Sequence, residues 1–87
     1  MEEKNKKIHL AILGSTGSIG TQALEVVSAH PGHFQVEILT AHSNADLLIE
    51  QALKFEPNAV VIADDSKYTQ VSEALASKPI KIGRAHV

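Results

Sequence analysis

The sequence predicts an α/β fold: a doubly wound parallel sheet of which these residues supply three strands and the start of a fourth. Two observations predict it. Short apolar runs alternate with stretches whose apolar residues recur at helical spacing. Every connection is short, and each strand–helix–strand unit takes about 25–30 residues. Such alternation calls for parallel strands joined by right-handed crossovers, with helices covering the sheet.

Met1–Lys7 is polar and charged, and reads as a flexible N-terminus. Residues 8–81 hold the regular pattern. Ile8–Leu13 is apolar apart from His9 and is ended by Gly14, which predicts a strand buried on both faces. Between Ser18 and Ala29 the apolar residues Ile19, Ala23, Leu24, Val26 and Val27 form one helical stripe, stopped by His30-Pro31-Gly32. Phe34, Val36 and Ile38 alternate with Gln35 and Glu37 before Leu39 and Ala41, the pattern of a second strand. The next helical stripe is Leu47, Leu48, Ala52 and Phe55. Ser43 or Asn44 can cap that helix, Asp46 suits its first turn, and Pro57 ends it. Ala59–Ala63 is a third buried strand. Asp65 or Ser66 can cap a third helix carrying Tyr68, Val71 and Leu75, and Ile80-Lys81-Ile82 opens a fourth strand after Pro79.

Composition narrows the function. A chain of 87 residues allows one small domain, burying only about 60–65% of the surface its unfolded form exposes. There is no Cys, so disulfides and Cys-based metal sites are excluded. Eight Lys+Arg against ten Asp+Glu give a formal charge of −2, which argues against nucleic acid or an anionic membrane as partner. No apolar run approaches the length of a membrane span or forms a secretory signal, so a cytoplasmic location is expected.

The strongest chemical signal is Gly14-Ser15-Thr16-Gly17-Ser18-Ile19-Gly20, between the first strand and the first helix. Its glycines follow G-x-x-G-x-x-G, a variant of the dinucleotide fingerprint, and make the fold Rossmann-like. Gly14 lets the chain turn sharply, Gly17 lets a pyrophosphate approach the backbone, and Gly20 lets the helix pack closely. Free amides near Thr16–Ile19 form an anion site at the helix N-terminus, with the hydroxyls of Ser15, Thr16 and Ser18 as further donors. A Walker loop is excluded, because no Gly-Lys-Ser/Thr follows. The bland alternative is a tight turn with no ligand.

A NAD site usually places Asp or Glu about 20 residues beyond the last glycine, on the ribose 2′-hydroxyl. Here that stretch is Thr40-Ala41-His42-Ser43-Asn44, without a carboxylate, which leans toward NADP. His42, Ser43 and Asn44 can all donate to a 2′-phosphate, although Ser43 and Asn44 also suit plain helix capping. No Lys or Arg completes a charged clamp. His30 and His33 read as surface histidines, Asp64-Asp65 as a helix cap or a rim contact with adenosine, and Lys67, Lys78 and Lys81 as solvated charges. No catalytic triad, acid–base pair or metal site is discernible.

The stretch Ile12–Val27, with His30-Pro31, Phe34, Ala41–Asn44 and Phe55-Glu56-Pro57, closely resembles the start of the 1-deoxy-D-xylulose 5-phosphate reductoisomerase family. The resemblance covers about Lys7 to Ile80. Its G-x-T-G-x-x-G core also occurs in aspartate-semialdehyde and N-acetyl-glutamyl-phosphate dehydrogenases, which usually show Ala after the first Gly; a stand-alone nucleotide-binding module is a further alternative. The resemblance implies an NADPH-dependent enzyme that rearranges and reduces 1-deoxy-D-xylulose 5-phosphate to 2-C-methyl-D-erythritol 4-phosphate in non-mevalonate isoprenoid biosynthesis. It also implies a divalent metal (Mg2+, Mn2+ or Co2+) and a homodimer for the full-length protein. Carried over residue by residue, Thr16, Gly17, Ser18 and Ile19 hold the pyrophosphate and His42, Ser43 and Asn44 the 2′-phosphate side; Gly14, which makes the turn, is counted with these cofactor-binding residues. Many members have Gly-Lys-Asn in the latter loop; Ser43 in the Lys position removes a charge. The family's metal, substrate and lid residues have no counterpart here, so no catalytic residue is assigned and the chain is expected to be inactive alone. Residues 82–87, Ile-Gly-Arg-Ala-His-Val, resemble a translated sequencing-adapter read and are expected to be non-native.

Overall fold

Four parallel strands in the order β1-β2-β3-β4 form the sheet of the computed structural model, which describes residues 6–84. Met1–Asn5 of the expected flexible N-terminus and Ala85–Val87 of the expected non-native tail lie outside the described residues. In chain order the elements are β1 (Ile8–Ile12), α1 (Ser18–Ala29), β2 (Phe34–Ala41), α2 (Ala45–Phe55), β3 (Ala59–Ile62), a 3-10 turn (Asp65–Lys67), α3 (Tyr68–Ala74) and β4 (Lys81–Arg84). The α/β alternation and parallel pairing follow the sequence expectation. The fourth strand is formed, with Lys81, Ile82, Gly83 and Arg84 opposite Ala59, Val60, Val61 and Ile62.

Because each strand adds beyond the previous one, successive right-handed crossovers bring their helices to the same side. One continuous core accordingly unites Leu24 and Val27 of α1, Leu48 and Ala52 of α2, and Val71 of α3, and Leu75 just after it, with Ile12, Val36, Leu39, Val60 and Ile62 of the strands. Leu39, Leu48, Val60 and Ile62 are fully enclosed. Burying such a side chain contributes about 1.5–3 kcal/mol, so these four central residues anchor the sheet to its helices.

This arrangement corrects the expectation for β1. Its Ile8, His9 and Ala11 are exposed, Leu10 is half-buried, and only Ile12 is buried. The strand stands at an edge and packs helices on one face only, so its apolar run does not signify burial on both. Leu13, expected to end the strand, lies beyond it and is 75% exposed. The α1 stripe is likewise narrower than expected, with Ile19 and Val26 exposed.

Strand β2 carries an irregularity that its sequence shows only as a break in alternation at Ile38-Leu39. Leu10 pairs with Val36 but Ala11 pairs with Ile38, leaving Glu37 as the extra residue of a bulge. The shift changes which residues face inward, so Val36, Leu39 and Ala41 are all buried while Ile38 is partly exposed. The Glu37 carboxylate accepts hydrogen bonds from His9 and Asn58, tying the three neighbouring segments together.

Candidate functional site

Parallel pairing brings the C-terminal ends of all the strands to one edge, where ligands bind in sheets of this kind. The β1–α1 turn, the β2–α2 loop and the segment after β3 meet there. Backbone bonds join the last two: the Ala63 amide donates to the Ala41 carbonyl at 3.0 Å, and the Asp64 amide to the His42 carbonyl at 2.8 Å.

The glycine-rich turn is shaped by three contacts. Gly14 adopts a left-handed conformation, φ +69°, which L side chains rarely enter. The Gly14 amide donates to Thr40 Oγ1 at 2.8 Å and the Ser15 amide to the Thr40 carbonyl at 2.7 Å. Gly20 then brings α1 against the turn so closely that a Cβ there would lie 2.3 Å from the Gly14 oxygen and 2.7 Å from Ser15 Cα. The close approach expected at Gly20 is thus to the turn itself.

Gly17 differs from both. Its backbone is extended, φ −81° and ψ 176°, a conformation open to any residue. A Cβ there would make one ordinary contact, 3.5 Å from the Gly14 oxygen. Folding does not demand glycine at this position, whereas a ligand that must touch the backbone would.

Gly17 is also the N-cap of α1, and no side chain caps that helix. Among the described residues, the amides of Ser18, Ile19 and Gly20 have no acceptor within the chain, so the helix N-terminus presents free donors and a partial positive charge. Thr16 is half-buried, while Gly17, Ser18 and Ile19 are exposed and open to a ligand. Ser15 departs from expectation. It is fully buried, and its hydroxyl donates to Gln51 Oε1 at 2.6 Å, so it faces into the protein and is not a phosphate donor. Gln51 Nε2 donates in return to the Ser15 carbonyl at 2.9 Å.

His42, Ser43 and Asn44 are exposed on the adjoining loop, between Thr40 and α2. Asn44 caps α2, its Oδ1 accepting from the Leu47 amide at 3.2 Å, which leaves its amide group outward as a donor. Beside this loop, Asp64 caps the 3-10 turn by accepting from the Ser66 amide at 3.0 Å and the Ser66 hydroxyl at 2.7 Å. Capping in this segment was expected of Asp65 or Ser66, or of the Asp64-Asp65 pair; Asp64 performs it, and what it caps is the 3-10 turn that precedes α3. The Ser66 hydroxyl, then its amide, hold the Asp64 carboxyl below the usual carboxylate range, with smaller help from Lys67 and His42.

His30 and His33 are exposed with their rings edge-on at 6.0 Å. Among the described residues, no group of three or more His, Asp or Glu could hold a metal ion, and no helix is long and apolar enough to cross a membrane. A groove of about 390 Å3 runs between α1 and α2, lined by Leu24, Glu25, Leu47, Gln51 and Phe55 among others. None of the exposed turn residues lines it, so the candidate site is the open edge.

Sequence reasoning missed Thr40 and Gln51 as parts of the site. Thr40 was weighed only as a place where an acid is absent. Gln51 did carry a signal: with Leu48, Ala52 and Phe55 it lies at i, i+3, i+4 and i+7, on the inward stripe of α2.

Comparison with known proteins bears on this geometry. Residues 10–86 match the family model of 1-deoxy-D-xylulose 5-phosphate reductoisomerase. The reductoisomerase of Bacteroides thetaiotaomicron is 57% identical over 81 residues, covering 93% of this chain and 21% of that protein. The Porphyromonas gingivalis enzyme is 55% identical over 76 residues, covering 87% and 20%. Among solved structures, the Zymomonas mobilis reductoisomerase in complex with NADPH superposes with a TM-score of 0.87 at 32% identity, covering 92% of this chain and 21% of that one. A reductoisomerase bound to NADPH, fosmidomycin and magnesium gives 0.84 at 34% identity, covering 90% and 19%. The chain spans about a fifth of the length of these relatives.

Proposed function

Because the chain belongs to the 1-deoxy-D-xylulose 5-phosphate reductoisomerase family, we propose that its open sheet edge binds NADPH. Gly17 carries the reading: its glycine is dispensable to the fold and useful to a phosphate that must approach the backbone. Gly14 makes the turn, the segment Thr16, Gly17, Ser18 and Ile19 takes the pyrophosphate, chiefly through the unpaired amides of Ser18 and Ile19, and His42, Ser43 and Asn44 take the 2′-phosphate side. The helix N-terminus favours that negative charge, and no carboxylate at 40–44 repels it. The NADPH bound to the Zymomonas mobilis relative supports the choice of cofactor.

When bound, NADPH supplies a hydride. The reaction it would serve in the whole protein is the rearrangement and reduction of 1-deoxy-D-xylulose 5-phosphate to 2-C-methyl-D-erythritol 4-phosphate, a step of isoprenoid synthesis. The family's divalent metal does not fit the described residues, which bring no ligand set together. We therefore assign this chain cofactor binding without turnover, and leave metal, substrate, homodimer assembly and a cytoplasmic setting to the whole protein.

Titrating the 87-residue chain with NADPH and with NADH, read by nicotinamide fluorescence, tests the proposal. Saturable binding, tighter for NADPH, is the expected result, with no NADPH oxidation on adding substrate. A folded chain that binds neither dinucleotide at millimolar concentration would refute it.

A further inference from the structure

We propose that Gln51 is a positioning residue for the pyrophosphate turn, an inference that rests on the cofactor reading above. Gln51 sits on α2, 36 residues beyond Ser15, and is only 7% exposed. Its side-chain amide grips Ser15 twice, accepting from the hydroxyl at 2.6 Å and donating to the carbonyl at 2.9 Å. With the Ser15 amide held by the Thr40 carbonyl at 2.7 Å, every polar group of Ser15 is engaged inside the protein. The peptide leading out of Ser15 is therefore fixed in direction, and with it the Gly17 amide, which donates back to the Gly14 carbonyl at 3.0 Å, and the unpaired amides of Ser18 and Ile19 that follow. No ordinary packing residue does this: an apolar side chain of similar size would fill the space but leave the Ser15 carbonyl and hydroxyl buried and unpaired.

Preorganisation is the physical gain. A turn that occupies its binding shape only a fraction of the time has its affinity reduced by that fraction. Gln51 touches no ligand in this scheme; it acts through Ser15.

The test compares Gln51→Met, Ser15→Ala and the double variant with the native chain, using a distant core truncation, Leu75→Ala, as control. NADPH affinity is measured well below every melting temperature, and amide hydrogen exchange is followed at Ser15 and Gly17 without ligand. Gln51→Met is expected to weaken NADPH about tenfold, as follows if the turn keeps its binding shape a tenth of the time. It should also speed exchange at Ser15 and Gly17 while β3 stays protected. The double variant should bind no more weakly than Gln51→Met, whereas Leu75→Ala should lower Tm and leave affinity unchanged. Unchanged affinity in Gln51→Met, or an equal loss in Leu75→Ala, overturns the proposal. Should Gln51→Met fail to fold, Ser15→Ala decides: a loss of affinity with faster exchange at Gly17 supports the positioning role, and neither change overturns it. If the native chain binds no NADPH, the cofactor reading fails by itself; the grip on the turn is then judged on exchange alone.

Discussion

Replacing Gly17 and Gly20 one at a time by alanine separates what the fold requires from what a ligand requires. At Gly17 the backbone, φ −81° and ψ 176°, admits alanine without strain, and the added methyl meets only the Gly14 oxygen at 3.5 Å. Alanine is a poorer N-cap than glycine by roughly 0.5–1 kcal/mol. Restricting the unfolded chain returns about 0.4–1 kcal/mol. The two nearly cancel, so Tm should move by no more than about 4–8 °C, the shift expected for 1 kcal/mol in a domain of this size. At Gly20 the methyl would lie 2.3 Å from the Gly14 oxygen and under 3.0 Å from two backbone atoms of Ser15. Those are backbone atoms that cannot swing aside, which places the cost at the upper end for overpacking, about 3 kcal/mol. That corresponds to a fall in Tm of roughly 12–24 °C. For NADPH the order reverses in meaning: Gly17→Ala should stay folded yet lose at least about tenfold in affinity, equivalent to ~1.4 kcal/mol, because the methyl occupies the phosphate's approach. Circular dichroism melts and fluorescence titrations on the same samples supply both quantities. A Gly17→Ala chain that binds NADPH as well as the native one would refute the reasoning about the ligand. A Gly20→Ala chain as stable as Gly17→Ala would refute the reasoning about the turn.

Two further outcomes follow from the neighbouring loop. Ser43→Lys places a cation beside the proposed 2′-phosphate position; an exposed pair worth about 0.2–1 kcal/mol should favour NADPH over NADH by roughly 1.5–5-fold, fading at high salt. An equal gain for NADH would show that the loop does not meet the 2′-phosphate. Asp64 should titrate below an ordinary aspartate by NMR, and Ser66→Ala should raise its pKa by removing the principal hydrogen bond. Since the folded pKa is depressed, the carboxylate stabilises the fold above the unfolded pKa, and this contribution is lost as pH falls through the folded value. The Tm gap between the native chain and Asp64→Asn should accordingly be present at pH 7 and close in acid; a gap that widens in acid would contradict the assignment.

Most of the fold was legible because periodicity reports local structure. Helix α1 runs from Ser18 to Ala29, as its stripe and the following His-Pro-Gly imply, and α2 stops before Pro57. What periodicity does not report is which strands lie side by side. The run Ile8–Leu13 was misread as doubly buried because the strand order, with β1 at one edge and all helices on one side, depends on the whole topology. The bulge at Glu37 was visible only as a broken alternation, Ile38-Leu39, whose consequence needs the register against β1. At the site, glycine spacing located the turn, but counting hydroxyls does not tell which way each points. Ser15 faces inward to Gln51 while Ser18 stays exposed, a difference made by a helix 36 residues away.

That long-range dependence changes what the glycine motif means. Thr40 and Gln51, which hold Gly14 and Ser15, belong to the second strand and second helix and bracket the loop carrying His42, Ser43 and Asn44. The segment that shapes the glycine-rich turn is therefore the same one that carries the loop proposed for the 2′-phosphate side. A shift of α2 relative to β2 would disturb both ends of the proposed site together, through Gln51 at one and the Asn44 cap at the other. The glycines supply permission for the chain to turn and for a phosphate to come close. The direction of the turn comes from the second β–α unit, so two such units, packed in register, are the least structure on which the proposed dinucleotide site would be preorganised.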